Sequence, residues 1–396
     1  MFKSELKKGN IQALRNASLW LAVLVSCSPK ETTDSNTTTS FVGSHRIVID
    51  TVLCEAELFS MEGYFRVIGN NIAYIQSDLA SVLCFEADGT WIKQTLGPGE
   101  GPDESNGLLW YHGHLPDGQH LVFGSGYDFR LFDSEFSTVT DKFRFNWHSR
   151  LGIYETSDLE DPGMYDFHYR DEPFIDSQWL PVINNKAVVP VTINDYVNPV
   201  ANLTKKPDAF FGHANTIGLV DLETGELETV FRKHPKGFLE NKWLYFYNYP
   251  YRATDAKFIY VSDRLGPEIE VYDPDNLQLV ETFGQPGKYA NPDLDRYDSY
   301  EDFLSALGSG YQIGFSYYTH IHVDSINSIF FRSYHIKDTG PWGLQAYNAE
   351  RELIIDSKVP FRFNVIGKIG DYYYADGIRD EENEILGIYR FKIKNE

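Results

Sequence analysis

Short runs of β-branched and aromatic residues alternate with turn residues along most of this chain. Each run follows a turn signal and is preceded by another short apolar run. This arrangement predicts hairpins, in which two strands are joined by a tight turn. The second strands of six predicted hairpins begin near Asn71, His120, Lys186, Lys257, Ser328 and Asp371.

A second element follows these hairpins. It places an acid or amide after an apolar or aromatic residue, as in Leu131-Phe132-Asp133, and then turns into a further strand. The acid or amide can accept hydrogen bonds from the backbone of its own turn. The pattern therefore predicts a meander of four strands in each unit. It predicts no long amphipathic helix between the units.

Six units of four strands predict an all-β fold, a six-bladed β-propeller of four-stranded antiparallel blades. The last unit supports closure of the ring. Its third strand, Gly387–Phe391, runs into the C-terminus with no fourth strand after it, whereas the N-terminal run His45–Val52 is an alternating strand. We expect this N-terminal strand to complete the last blade and to leave no open edge at the seam.

Two insertions interrupt the repeat, at about residues 146–174 and 287–316. Long loops on one face and the axial channel are the places where propellers usually carry function. The second insertion holds a cluster of acids: Asp293, Asp295, Asp298, Glu301 and Asp302. Their oxygens could bind Ca²⁺. They lack the glycine and the spacing of an EF-hand loop, and a solvated acidic loop is the simpler interpretation.

A different pattern marks the N-terminus. Lys7, Lys8 and Arg15 precede the short apolar run Leu19–Val25. This is the order of a secretory signal, and the run is too short to span a bilayer as a helix. The small residues before Cys27 resemble a bacterial lipobox, in which the cysteine is lipidated and becomes the new N-terminus. A buried amphipathic helix with a chance cysteine is the alternative.

The stretch after Cys27 is rich in Ser, Thr and Asn and has no apolar period, which predicts a flexible tether. The expected organisation is a lipoprotein signal peptide at residues 1–26, a tether at 27–43 and a single propeller domain at 44–396. Lys30-Glu31 is similar to the signal that sends some Bacteroidetes lipoproteins to the cell surface. We therefore expect an outer-membrane lipoprotein, held to the membrane by its lipid, whose domain faces the periplasm or the cell surface.

Composition and charge narrow the function classes. Aromatic residues make up 15% of the chain, which favours β-structure. The 57 acidic and 35 basic residues give a net charge of −22, which would repel phosphate backbones and argues against a nucleic-acid partner. Cys54 and Cys84 each lie in an apolar strand pattern. Secretion permits a disulfide between them, but two buried thiols are the simpler interpretation.

Two His-x-His pairs are the main candidates for a ligand site. His112 and His114 fall where the innermost strand of the second blade should run, and His320 and His322 fall at the matching place in the fifth. Alternation puts both histidines of a pair on one side of the strand, and these blades face each other across a six-fold ring. The pairs could bind a metal ion, with Ca or Zn as the candidates, or an anion on the axis. Ordinary channel-lining histidines are the alternative.

The densest aromatic run lies between residues 241 and 252. Trp243, Tyr245 and Tyr247 alternate along it and continue at Tyr249 and Tyr251, so their rings would share one face of a strand. Exposed rings would form a stacking platform for sugars or peptide side chains. Buried rings would pack one blade against the next, which propellers require in any case.

The blade pattern and lipobox resemble those of a known family, the six-bladed TolB-like propeller lipoproteins of Bacteroidetes, whose function is unknown. Members also tend to carry a Gly-Pro-Glu-rich stretch after the first blade, which corresponds to Leu96–Glu104, with a weaker echo at Phe283–Gly287. The resemblance covers about residues 27–396. It implies a fold and a compartment, and it implies no reaction or catalytic residue.

Two functions remain open. The first is a lipid-anchored binding or scaffold module for a protein, peptide or glycan, and it is favoured because no Gly-x-Ser-x-Gly or His-Glu-x-x-His signature occurs. The second is a metal-dependent hydrolase or lyase with its metal on the propeller axis. The fold cannot decide between them, because propellers serve both purposes.

Overall fold

A computed structural model describes the chain in ranges separated by gaps. These are residues 45–56, 59–99, 101, 104, 108–124, 128–145, 165–167, 179–193, 211–240, 249–290, 299, 301–302, 305, 316–336, 341–380 and 382–395. The predicted signal peptide and tether, including Cys27, lie outside these ranges, as do most residues of both insertions. In the ranges given, no helix has the length and apolar character needed to cross a membrane.

The described strands form six antiparallel sheets, which confirms the predicted six-bladed β-propeller. The N-terminal strand β1 spans His45–Cys54. Blade 1 then contains β2 (Gly63–Ile68), β3 (Asn71–Gln76), β4 (Ser81–Glu86) and β5 (Trp91–Leu96). Blade 2 contains β6 (Leu109–His114), β7 (His120–Gly124), β8 (Asp128–Phe132) and β9 (Val139–Arg144). In both of these blades the strands pair in chain order.

Blade 3 departs from the four-stranded expectation. Its strands are β10 (Tyr165–Phe167), β11 (Val182–Ile183), β12 (Lys186–Ile193), β13 (Asn215–Asp221) and β14 (Leu227–Lys233). Both β10 and β11 pair with β12, at its opposite ends. The first insertion therefore adds a short fifth strand to the blade. A five-residue helix, α1 (Lys236–Glu240), follows the last strand.

Blades 4 and 5 are regular four-stranded meanders. Blade 4 contains β15 (Tyr251–Thr254), β16 (Ile259–Ser262), β17 (Ile269–Tyr272) and β18 (Leu279–Phe283). Blade 5 contains β19 (Tyr317–Asp324), β20 (Ile329–His335), β21 (Trp342–Tyr347) and β22 (Leu353–Val359). Every blade has a strand that starts within two residues of the position that the sequence pattern marks for the second strand of its hairpin.

Blade 6 combines both ends of the described chain. It contains β23 (Val365–Ile369), β24 (Tyr372–Asp380) and β25 (Ile385–Asn395), and β1 forms its outermost strand. β1 and β25 are antiparallel and in register over their length, from His45 opposite Asn395 to Cys54 opposite Leu386. Sequence-distant strands thus join the first and last segments of the ring.

Acid and amide side chains hold the turns between the third and fourth strands, as the sequence predicts. The Oδ1 atoms of Asp221, Asp273 and Asn348 each accept a backbone N–H of their own turn at 2.8 Å. Asp133 accepts the N–H of Ser137 at the same distance. These bonds lie within single turns and do not depend on contacts with other blades. The repeat can therefore be recognised from the sequence.

The apolar core lies between neighbouring blades. Val52, Phe65 and Phe85 form one buried cluster at the seam of blades 6 and 1. Phe331, together with Phe391, belongs to another cluster, between blades 5 and 6. Many of the described aromatic residues therefore pack between neighbouring blades.

Buried polar pairs also join adjacent blades. Arg232 of blade 3 forms ion pairs with Asp263, just after β16, and with Glu270 of β17 in blade 4. Tyr373 of blade 6 donates a hydrogen bond to Asp324 of blade 5 at 2.7 Å. Such contacts fix the angle between blades because a buried charge or hydroxyl tolerates few other arrangements.

Cys54 and Cys84 are buried free thiols in β1 and β4, which confirms the simpler of the two interpretations. Burial raises the pKa of Cys54 to about 12 and that of Cys84 to about 11. Because the thiolate is the reactive form, both side chains act as small apolar core residues.

Candidate functional site on the propeller axis

The first strand of each blade lies nearest the axis, where neighbouring blades meet edge to edge. β19 contacts both β15 and β23, and β23 also contacts β2. Between blades 2 and 3, His112 and Trp179 form a parallel β-bridge, and the N–H of Leu180 donates to the His112 carbonyl at 2.8 Å. Side chains from these inner segments are therefore brought together from around the ring.

A cavity of about 70 Å³ lies among these segments. Five blades contribute to its lining, through residues that include Arg66, Trp179, Thr254, His320, His322 and Ile366. One water molecule needs roughly 10–15 Å³ by this measure, so the cavity has room for one small polar group. None of its described lining residues is a carboxylate.

Arg66 is the most unusual residue of the lining. Its side chain is only 3% exposed, although it carries a permanent charge. Nη1 donates to the carbonyl of Phe65 at 2.8 Å, and the guanidinium carbon lies 4.6 Å from the ring centre of Tyr64 and 5.6 Å from that of Trp179. Nε and Nη2 have no hydrogen-bond partner among the described residues.

Asp376 is the carboxylate whose charge acts on Arg66, but it already accepts hydrogen bonds from other groups. Its two oxygens accept from Nη2 of Arg379 at 2.8 and 3.0 Å, and Oδ1 also accepts the backbone N–H of Gly377 at 3.0 Å. Burial lowers the pKa of Arg66, and the attraction of Asp376 only partly opposes this effect. Arg66 is thus a buried charge without an ion-pair partner in the described chain.

The histidine pair of blade 5 lines the cavity, as predicted for the inner strand. Nε2 of His320 donates to the carbonyl of Val365 at 2.7 Å, which leaves Nδ1 as the unprotonated nitrogen of the neutral ring, and Nδ1 has no described partner. Burial lowers the pKa of His320 to about 3, helped by the charge of Arg66. Burial likewise lowers the pKa of His322 to about 4.

The histidine pair of blade 2 is arranged differently. His112 and His114 both approach His120 of the neighbouring strand, with ring centres 5.3 and 5.2 Å apart respectively. The ring of Trp179 packs edge-on against His112 at 5.8 Å and is itself part of the cavity lining, whereas His112 is not. The structure therefore places only His320 and His322 at the cavity, and it groups the blade 2 pair with His120.

The described residues provide no set of ligands for a metal ion on the axis. No group of three or more His, Cys, Asp and Glu side chains there is arranged to hold a metal ion. Of the acidic cluster in the second insertion, Glu301 and Asp302 are described and exposed, and Asp302 accepts a hydrogen bond from Ser299. Asp293, Asp295 and Asp298 lie outside the described residues.

The aromatic run is visible only at its end. Trp243, Tyr245 and Tyr247 lie outside the described residues. Tyr249 and Tyr251, which continue the alternation, are 2% and 3% exposed. The hydroxyls of Tyr249 and Tyr111 share a hydrogen bond of 2.8 Å, which links blades 4 and 2. This part of the run packs between blades.

Sequence reasoning did not single out Arg66, Trp179 or the partner histidine His120. Arg66 could have been identified from the sequence, because it is a charged residue within an otherwise apolar inner strand, Tyr64-Phe65-Arg66-Val67. Arg252 interrupts the inner strand of blade 4 in the same way, and its Nη2 donates to the carbonyl of Trp179 at 3.3 Å. A charged residue at an inward position is a stronger indication of a site than a histidine.

The fold and the axial cavity define a six-bladed β-propeller with a basic, aromatic-lined centre. No protein-family model and no curated protein matches the chain. Several solved structures are similar to it. A member of the DUF4221 family from Bacteroides vulgatus is similar with a TM-score of 0.56 at 13% identity, over 92% of this chain and 100% of that chain.

A predicted exported protein from Bacteroides fragilis is also similar. Its TM-score is 0.52 at 12% identity, and the match covers 88% of this chain and 95% of that chain. At such low identity these likenesses show the propeller fold. They carry no ligand, reaction or site residue to this chain.

Proposed function

We propose that this chain is a lipid-anchored, extracytoplasmic binding or scaffold propeller. It binds a protein, peptide or glycan, and a polar group of that ligand enters the axial cavity. The observation that carries the proposal is the pair of buried cavity residues Arg66 and His320. Nε and Nη2 of Arg66 and Nδ1 of His320 have no hydrogen-bond partner in the described chain. Buried polar groups are normally satisfied, so such atoms mark a place where a ligand completes the hydrogen bonding.

The cavity chemistry favours binding over catalysis. Thr254 supplies the one hydroxyl of the described lining, and this hydroxyl donates to the carbonyl of Val182 at 3.1 Å. His320 is neutral at pH 7, since its pKa is about 3, and so is a poor match for proton transfer near neutrality. These features support recognition of a polar group rather than its conversion.

The compartment rests on the N-terminal sequence. The basic region, apolar run and Cys27 predict export and lipidation, in line with the TolB-like Bacteroidetes lipoproteins that the chain resembles. The similar Bacteroides fragilis protein is a predicted exported protein, which supports a place outside the cytoplasm. Expression with a radioactive fatty acid tests the anchor: we expect label in the parent protein and in Ser28→Ala, and none in Cys27→Ala. Label in Cys27→Ala would refute it.

Filling the cavity tests the binding role. Full-length protein in detergent is screened against arrays of peptides and glycans, beside Ile366→Phe, which narrows the cavity. Ile326→Phe makes the same change at a side chain that is 92% exposed and serves as the control. We expect a ligand that binds the parent and Ile326→Phe, and loses at least tenfold in affinity for Ile366→Phe. A ligand that binds all three equally would refute the axial site.

A metal-dependent hydrolase or lyase remains the second candidate, because His320 and His322 both line the cavity. Elemental analysis of the purified protein, with melting curves before and after a chelator, separates the two. About one equivalent of Ca or Zn, with a melting temperature lowered by the chelator, would favour the enzyme. No metal and no shift would leave the binding propeller.

A further inference from the structure

The free donors of Arg66 form a single recognition edge. In a guanidinium, Nε–H and the outer Nη2–H point in parallel on one side of the plane's edge, while Nη1 points the other way. In Arg66 the Nη1 group is held by the Phe65 carbonyl, and the two atoms without a described partner are Nε and Nη2. The edge that remains is the one that pairs with two oxygens of a carboxylate, sulfate or phosphate.

The orientation of this edge is fixed by its surroundings. The guanidinium carbon lies 4.6 Å from the ring centre of Tyr64 and 5.6 Å from that of Trp179, and the side chain is 3% exposed. A charged plane held by two aromatic rings and one backbone carbonyl has few other rotamers. The fork is therefore pre-organised, which lowers the entropy cost of binding an anion.

The charge balance around the cavity also calls for an anion. Asp376 is shared between Arg379 and backbone N–H groups, and the cavity lining has no described carboxylate. Arg252, 3% exposed, adds a second buried positive charge beside Trp179. A buried cation without a counter-ion is costly, and an oxyanion in the cavity would supply that counter-ion.

We propose that the Nε and Nη2 edge of Arg66 binds an oxyanion group of the ligand inside the axial cavity. The inference rests on the proposed binding function and names its ligand chemistry. A cavity of about 70 Å³ admits one carboxylate, sulfate or phosphate, so the oxyanion is either a free small anion or a group at the end of a larger peptide or glycan. The unprotonated Nδ1 of His320 would accept a hydrogen bond from a hydroxyl group that such a ligand carries.

Titration calorimetry on the full-length protein tests this with sodium acetate, sulfate and phosphate, against sodium chloride at equal ionic strength. The variants are Arg66→Met, which removes the charge, and Arg66→Lys, which keeps the charge and loses the fork. Arg46→Met is the matched control, because Arg46 is exposed on β1. We expect at least one oxyanion to bind the parent and Arg46→Met, about tenfold weaker binding to Arg66→Lys, and about 10- to 100-fold weaker binding to Arg66→Met.

The three anions, and the array ligands, separate the sources of the oxyanion. Tight binding of a free anion identifies a small anion, whereas weak binding of free anions with tight binding of acidic array ligands identifies a terminal group. Equal binding to the parent and to Arg66→Met would overturn the proposal. If neutral ligands bind and Ile366→Phe abolishes their binding, the oxyanion proposal fails and the axial binding function stands. If Ile366→Phe changes nothing, both fail.

Discussion

Nε2 of His112 lies 3.2 Å from Nδ1 of His120, and Nε2 of His120 lies 3.3 Å from the carbonyl oxygen of Ser134. Because the carbonyl can only accept, Nε2 of His120 carries the proton, and Nδ1 of the neutral ring accepts from His112. This relay needs His120 to be neutral, because only then can its Nδ1 accept a hydrogen bond. A proton added to Nδ1 of His120 would face the donor of His112, in a site where His120 is 0% exposed.

Acid should therefore weaken the fold through His120. Burial lowers its pKa to about 4, whereas an unfolded histidine titrates near 6.5. Between these values the unfolded chain binds more protons, so this stabilisation is fully present above pH 6.5 and is lost as the pH falls to about 4. We expect the free energy of unfolding in urea to drop by about 3 kcal/mol from this group across that window.

The variant His120→Gln checks the source of the slope. It should unfold with a shallower dependence on pH between 6.5 and 4 than the parent. His213→Gln changes an exposed histidine and should keep the parent's slope. An unchanged slope in His120→Gln would show that other groups, such as His320, dominate the acid sensitivity.

A buried and an exposed ion pair should differ sharply in their effect on stability. The side chain of Arg232 is 1% exposed and pairs with Asp263, whose side chain is 8% exposed. Arg232→Met leaves a buried carboxylate unpaired, and we expect the free energy of unfolding to fall by about 3–5 kcal/mol. Urea denaturation with two spectroscopic probes measures this change.

The exposed ion pair between two strands of blade 6 is the comparison. Arg390 bonds Asp50 at 2.7 Å across β25 and β1, with side chains 30% and 51% exposed. Arg390→Met should cost less than about 1 kcal/mol, since water screens this pair. Similar losses in both variants would mean that Asp263 is neutralised in the Arg232 variant, because burial raises the pKa of this carboxyl.

The fold was predictable because its signals are local. Acids such as Asp221 and Asp273 fix turns within their own blade. The six predicted hairpins indicate a ring of six blades. Strand β10 was not predictable, because Tyr165–Phe167 lies inside the first insertion and pairs with residues 191–193, although β11 lies between the two segments in the chain. Pairing over such a distance depends on the packed blade rather than on the strand's own sequence.

The site was predictable only in part. His320 and His322 could be assigned to an inner strand from their alternation, and they line the cavity. The grouping of His112 with His120 depends on register, since His114 lies directly opposite His120 in the pairing of β6 and β7. Arg66 and Trp179 come from different blades, and nothing in their sequence spacing shows that the ring brings them together.

Gly89 should be needed for the seam between blades 1 and 6. It has a φ of +91°, and a Cβ at this position would overlap the carbonyl oxygen of Leu53 in β1. Gly118, with a φ of +92°, occupies the matching kind of turn, but the nearest atom to its Cβ would be 3.7 Å away. The two glycines thus share the backbone strain and differ in the steric contact.

This difference makes a matched pair of variants. Gly118→Ala should lower the free energy of unfolding by about 1–2 kcal/mol through the left-handed backbone alone. Gly89→Ala should cost at least about 1 kcal/mol more, because the turn must also move away from β1. Equal costs in urea denaturation would show that the turn and β1 separate without penalty.

Removing the charge of Arg66 should stabilise the protein in the absence of oxyanions. The guanidinium is buried without an ion-pair partner among the described residues, and replacing such a group by an apolar one of similar length removes its desolvation cost. We expect Arg66→Met to raise the free energy of unfolding by about 1 kcal/mol or more in chloride buffer. Arg379→Met leaves the nearby Asp376 without its ion-pair partner. This variant should lower the free energy of unfolding by about 3–5 kcal/mol. If both variants are less stable than the parent by similar amounts, Arg66 has a structural role in the propeller. If Arg66→Met is more stable and Arg379→Met is less stable than the parent, Arg66 is a charge that serves ligand binding at the expense of stability.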